Sequence, residues 1–410
     1  MENEIENIKA NSVEENEEII EESEENELED QEEFTYTVDN NNINNDYNSN
    51  DKKSYVFALI GLIILILIIV VIVVIVNNGK NSDTTYSTIE TKLLEGAKSY
   101  YNKYPDELPI IEGNYVTINA ETLIENSYLK PFTEMVDEEV NCSGYVNVFK
   151  TEQDYAYFPY LNCGTEYETL KLNDKIIEDN IVTSNDGLYK VKNEYVFRGE
   201  YPNNYVKFSN QIWRIIKINE DGSIKLVYAD KKTEKVVWDD RYNTDKSEYV
   251  GKNDFRLSRI LEKLNEIYLD DTYIENNDKK LLVKYNWCIG KISENDTQIS
   301  GFNSCDDIYS DLYIGLLNID EVLIPSLDEN CKNIYDQSCT NYNYLYEINT
   351  GWTLNASSER SHIVFYSSYG AVYPKSASTS SSVRPVININ GNVLYTSGNG
   401  TKETPYIIKN

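Results

Sequence analysis

YVFALIGLIILILIIVVIVVIV, residues 55–76, is a run of twenty-two uncharged residues that divides the chain into two chemically opposite parts. At 1.5 Å rise per residue it makes a helix roughly 33 Å long, enough to cross a bilayer core. It holds no charge, no Pro and a single Gly, Gly61, so it lacks the polar face a soluble core helix needs. Lys52 and Lys53 precede it, and Lys80 is the only nearby cation after it. The charge bias predicts a cytoplasmic N-terminus and a C-terminal region outside the cell, held through 52–77 as a single-pass signal anchor. Asn77-Asn78-Gly79-Lys80 offers no small-residue cleavage site, which argues against a removable signal peptide.

Outward from this run the composition changes. Residues 1–51 carry nineteen acidic residues against one lysine, Lys9, and an Asn-rich stretch from Asn40 to Asn50. Such a segment buries too little apolar surface to fold alone, and it is read as a disordered acidic tail. It is a spacer or a docking segment for a basic cytoplasmic partner. The strong acidity of the whole chain, net charge −32, disfavours nucleic acid as a partner. All six cysteines, Cys142, Cys163, Cys288, Cys305, Cys331 and Cys339, follow the apolar run. An even count on one side of a membrane reads as disulfides in an oxidising compartment.

After a connector at 78–85, residues 86–172 read as a small α+β module. Ser87-Thr88-Ile89-Glu90 has the spacing of a capping box, and Ile89, Leu93, Leu94, Ala97 and Tyr101 recur at helical spacing. A strand at Tyr115 to Ile118, a short helix near Ala120 to Glu125 and a hairpin of 144–149 with 155–161 follow. Cys142 and Cys163 lie equidistant from the hairpin turn, facing each other across the two strands. The remaining four cysteines favour the local bridges Cys288 to Cys305 and Cys331 to Cys339, a connectivity that spacing alone leaves open.

Residues 173–184 read as a linker, and 185–410 as a larger module rich in short antiparallel strands. It opens as a meander, Tyr205 to Phe208, Gln211 to Ile218 and Ser223 to Tyr228, with turns at Ser209-Asn210 and Asp221-Gly222. A helix with Phe255, Ile260, Leu261, Leu264 and Tyr268 on one stripe comes next, then a strand from Tyr313 to Ile319 and several more from Trp352 onward.

Two resemblances attach to these modules. Ala97-Lys98-Ser99-Tyr100-Tyr101, Val116-Thr117-Ile118, Tyr128-Leu129-Lys130, Cys142-Ser143-Gly144-Tyr145-Val146 and Asn162-Cys163-Gly164 resemble the globular part of type IV pilin-like proteins of low-GC bacteria. The approach to the apolar run, Asp51-Lys52-Lys53-Ser54-Tyr55-Val56-Phe57, lacks the pilin processing site, so the resemblance implies a fold and not processing. In the second module, Trp352-Thr353-Leu354, Gly370-Ala371-Val372-Tyr373 and Ser382-Val383-Arg384-Pro385-Val386 resemble bacterial surface domains of the C-type-lectin-like, formylglycine-generating-enzyme-like fold. Asn204 to Phe208, Ile212 to Ile216, Ser397 to Gly400 and Pro405-Tyr406 are similar to an uncharacterised low-GC surface domain family. The resemblance implies that the hairpins before the Val-Arg-Pro-Val strand display a ligand surface. No cysteine follows Cys339, so the enzymatic cysteine pair and its copper are not carried over.

Tyr366, Tyr369 and Tyr373 are the candidate ligand contacts, since Tyr offers a rigid apolar face with a polar tip and nearby serines, Ser367 among them, add adaptable hydrogen bonds. His362, the single histidine, reads as an exposed surface residue and joins this candidate set. Arg384 reads as structural, paired to carbonyls or a carboxylate. No catalytic residue, cofactor or metal is assigned. The cysteine spacings are unlike zinc knuckles, phosphate loops and EF-hands are missing, and pairs such as Asp239-Asp240 and Asp270-Asp271 do not single out an acid and base. The sequence thus predicts a membrane-anchored surface protein whose outer domain adheres, without catalysis, to an extracellular glycan, protein or cell-wall polymer. The alternative is a structural component of an envelope or pilus-like assembly.

Overall fold

The computed structural model describes residues 86–137, 139–230, 233–295, 305–348 and 351–409. These belong to one compact unit spanning 73–410. The tail, the span and the connector lie outside the described residues. Among the described residues no helix is long and apolar enough to cross a membrane.

Helix α1, residues 86–103, buries Ile89, Leu93, Ala97 and Tyr101, the stripe its periodicity predicts. Its first turn is a correction. Ser87 lies within the helix rather than at its N-cap, and Glu90 is 1% exposed. Its carboxylate accepts instead from Tyr167 at 2.8 Å, from Thr169 and from Lys409 near the C-terminus. Tertiary donors outcompete the local backbone because a buried carboxylate needs every lone pair satisfied. Gly96 permits close packing, since a Cβ there would sit 2.8 Å from the Tyr128 carbonyl oxygen.

Strand β1 (Tyr115–Asn119), helix α2 (Ala120–Glu125), β2 (Ser143–Lys150) and β3 (Tyr155–Asn162) complete the first module as a sheet in the order β1-β2-β3. Ser143 pairs with Asn162, and the Cys142–Cys163 disulfide closes the open end of the hairpin. Val146 and Val148 face α1, while Ala156, Phe158 and Tyr160 on the other face join the core of the second module. Burial on both faces explains the nearly unbroken apolar run of 155–161. Tyr160 donates its hydroxyl to the Asn392 side chain at 2.9 Å, and Asn147 donates to the same oxygen at 3.3 Å.

The segment read as a linker, 173–184, holds most of helix α3 (Leu172–Asn180), whose Leu172 and Ile176 are fully buried. The second module continues with β4 (Gly187–Val191), β5 (Glu194–Arg198), β6 (Tyr205–Phe208), β7 (Gln211–Ile218), β8 (Ile224–Tyr228) and β9 (Lys235–Val237). Then come α4 (Arg259–Leu269), β10 (Trp287–Cys288), β11 (Lys291–Ile292), β12 (Ile308–Tyr309), β13 (Ile314–Gly315) and α5 (Ile319–Leu323). The chain ends with β14 (Gly351–Ser357), β15 (Ile363–Ser368), β16 (Ala371–Ser376), β17 (Ser380–Ser382), β18 (Val386–Ile389), β19 (Leu394–Ser397) and β20 (Tyr406–Lys409).

The main sheet runs β13-β18-β8-β7-β6-β20-β19, with β5 also on β7 and β4 on β5. β7 serves three partners, β8 along one edge and, on the other, β6 with its first half and β5 with Lys217 and Ile218, and its register against β8 shifts between Ile215 and Lys217. A second sheet runs β11-β14-β15-β16. The strand expected over Tyr313 to Ile319 pairs only at Ile314 and Gly315. Asn318 and Glu321 form a reciprocal capping box that starts α5 and ends the extended run. Cys288–Cys305 and Cys331–Cys339 are both formed, so the class is α+β with mostly strands and three disulfides.

Candidate functional site

Tyr369 and Gly370 are the two central residues of the β15–β16 hairpin, with φ of 51° and 85°. Positive φ at both positions defines the turn whose twist suits paired strands. Gly370 is required, because a Cβ there would also meet Asn343 Nδ2 at 2.9 Å. Tyr369 is 51% exposed and its ring lies 5.2 Å from that of Tyr346, also 51% exposed.

Beside this turn, Tyr342 has a φ of 47° and is 57% exposed. Asn343 fixes the arrangement. Its buried amide donates to the carbonyls of Val322 and Cys339, both at 3.0 Å, and its oxygen accepts from Leu345 N. The Cys331–Cys339 disulfide anchors the carbonyl that Asn343 grips. Two bulky tyrosines are thus held, exposed, in a left-handed backbone that costs about 1 kcal/mol or more each.

The other predicted contacts separate. Tyr366 and Tyr373 face each other across β15 and β16 with ring centroids 5.8 Å apart, and both are half-buried. Trp352 meets Tyr366 edge-on, Lys375 Nζ lies 4.7 Å from the Tyr366 centroid, and Gln337 donates to the Tyr373 hydroxyl. Burial, with Lys235 nearby, lowers the affinity of the Lys375 amine for its proton. Ser367 is a correction. Strand alternation turns it away from Tyr366, leaving it 1% exposed with no partner for its hydroxyl among the described residues. His362 is also corrected, being half-buried rather than exposed, with Nδ1 unpartnered among the described residues. Burial, then Lys246 and Arg360, pull its pKa down. Arg384 is structural, donating to the carbonyls of Tyr228 at 2.7 Å, Asp230 at 2.5 Å and Ile348.

A second constellation escaped the sequence reading. Lys225 on β8 donates to Glu321 on α5 at 2.6 Å, both side chains being 3% exposed or less. Lys217 on β7 lies 3.7 Å from the same Glu321 oxygen and 3.1 Å from Glu194 on β5. Burial opposes the charge on Glu321, but Lys225 and Lys217 outweigh it and hold the carboxyl below its usual range. Burial lowers the Lys225 pKa to about 8 against the attraction of Glu321. The available signal was a lone lysine inside each of two apolar strands, Ile216-Lys217-Ile218 and Ile224-Lys225-Leu226.

Among the described residues no three His, Cys, Asp or Glu side chains gather in a way that holds a metal ion. No protein-family model, curated protein or solved structure matches the chain.

Proposed function

We propose that the outer region is a binding module that adheres to an extracellular polymer through the tyrosine face at the β15–β16 turn, on a chain anchored in the cell membrane through residues 55–76. The carrying observation is the pair Tyr342 and Tyr369, both exposed and both in left-handed backbone. Left-handed backbone favours glycine or asparagine, so tyrosine at such positions carries a conformational cost, which at Tyr369 the ring contact with Tyr346 only offsets. Rigid, half-exposed rings are what a binding face needs, since they lose little rotamer freedom on contact. The pilin-like and lectin-like resemblances support the same reading, with a stalk module carrying a displaying module. Retention of the full-length protein on insoluble peptidoglycan, chitin or mucin, compared with a Tyr342→Gly/Tyr369→Gly variant, tests it. Equal retention of both proteins removes the assignment.

A further inference from the structure

The buried lysine–glutamate constellation forms the floor of a cleft of about 570 Å³. That volume falls in the usual range of small-molecule sites, about 300–1,000 Å³. The cleft shares no residue with the tyrosine face. Its wall is the half-buried ring of Tyr285, with Lys225 Nζ 4.4 Å and Lys217 Nζ 5.8 Å from the ring centroid. Trp287 stands behind it, its indole N–H donated to the Leu312 carbonyl at 2.7 Å. Gly315 makes room for the indole, since a Cβ would lie 2.3 Å from it.

The chemistry of the lining selects a ligand class. On the floor the two ammonium groups of Lys217 and Lys225 are matched by the two carboxylates of Glu194 and Glu321, and elsewhere in the lining Lys192 and Lys291 stand with Glu220, Asp306 and Asp320, so the cleft is close to charge balance. A ligand with net charge would be desolvated there without an unmatched counter-charge. The mouth carries Asn193 and Asn286, both exposed, beside Glu220, which accepts from Asn193 Nδ2 at 2.7 Å. Donors and acceptors of side-chain amides and carboxylates around one aromatic ring suit a molecule with an apolar face and many hydroxyls. An apolar ligand would leave these polar groups unpaired at a cost.

We propose that this cleft is a saccharide site, taking a short neutral sugar that packs beside Tyr285 and whose hydroxyls meet Asn193, Asn286 and Glu194. The site stands independently of the tyrosine face: that face holds polymer at the surface, and the cleft reads the sugar.

The test is titration of the full-length protein with the trisaccharides of β-linked glucose, α-linked glucose and β-linked N-acetylglucosamine, followed by saturation-transfer NMR. At least one of the three binds the wild type. Binding weakens by about tenfold or more, 1.4 kcal/mol, in Tyr285→Ala and in Asn193→Trp, and stays unchanged in Tyr342→Gly/Tyr369→Gly. Asn193→Trp blocks the mouth from an exposed turn and keeps the test sound if the Tyr285 variant misfolds. Failure of all three sugars to bind overturns the proposal, as does binding untouched by Asn193→Trp. Binding lost in the Tyr342/Tyr369 variant alone moves the sugar to the tyrosine face and also overturns it.

Discussion

Tyr268 and Tyr313 stack with ring centroids 4.9 Å apart and planes 10° from parallel, and each gives its hydroxyl to a carboxylate of the first module. Tyr268 donates to Glu152 at 2.7 Å and Tyr313 donates to Glu112. Burial, reinforced by these acceptors, pushes both phenols above their ordinary pKa, so each remains a donor throughout the neutral range. Lys284 closes the arrangement at 3.2 Å from Glu112. With Tyr160, Asn147 and Asn392, these contacts join the two modules into one body.

The two modules are therefore expected to melt as one unit. Each seam hydrogen bond contributes about 1 kcal/mol after solvent screening. Glu112→Ala/Glu152→Ala should lower the melting temperature and separate two calorimetric transitions that coincide in the wild type. Two resolved transitions in the wild type would contradict the fused core.

Removing one partner of a buried ion pair strands the other. Glu321→Gln should cost about 3–5 kcal/mol, read by chemical denaturation. Replacing the pair together, Lys225→Met/Glu321→Leu, should recover most of that loss. If both variants are equally destabilised, the pair is not the source of the cost.

The same carboxyl sets an acid dependence. Its folded pKa lies below the unfolded value of about 4.3, so the folded state binds fewer protons in between. The stability it contributes is complete above that unfolded value and is lost as pH falls through the folded pKa. Denaturation curves between pH 6 and pH 3 (roughly the span around a carboxylate's titration) should show a shallower decline for Glu321→Gln than for the wild type. Parallel curves would show that Glu321 is not the titrating group.

Cys142 and Cys163 stand 21 positions apart in the sequence, and loss of their bridge should cost about 3 kcal/mol. Cys142→Ser/Cys163→Ser is expected to loosen the β2–β3 end and to raise hydrogen exchange near Leu161. Exchange protection equal to the wild type would show the bridge to be dispensable.

How much of this was legible follows from the range of the forces. The 142–163 bridge was readable because hairpin register fixes which residues meet. The facing of Tyr366 and Tyr373 across β15 and β16 was not read from the sequence, which named them only as candidate contacts. Period-two alternation already separates Ser367 from Tyr366, and the compositional attraction of a Ser/Tyr-rich stretch obscured that signal. Glu90 and Glu321 were beyond local reading. One is bound by Lys409 and the other by Lys225, and only the folded topology brings partners so distant in sequence together. The helix at 172–180 was missed because Lys, Asn, Asp and Glu fill its outer face and only Leu172, Ile176 and Asn180 are buried.

The most direct measurement is an adsorption isotherm of the full-length protein on peptidoglycan, chitin and mucin, beside Tyr342→Gly/Tyr369→Gly. Relief of left-handed strain offsets the lost ring contact with Tyr346, so the variant's stability should stay within about 1 kcal/mol of the wild type. The wild type is expected to bind at least one polymer, with affinity about tenfold weaker or worse in the variant. Undiminished binding by a stably folded variant, or no adsorption by the wild type to any of the three, would contradict the account.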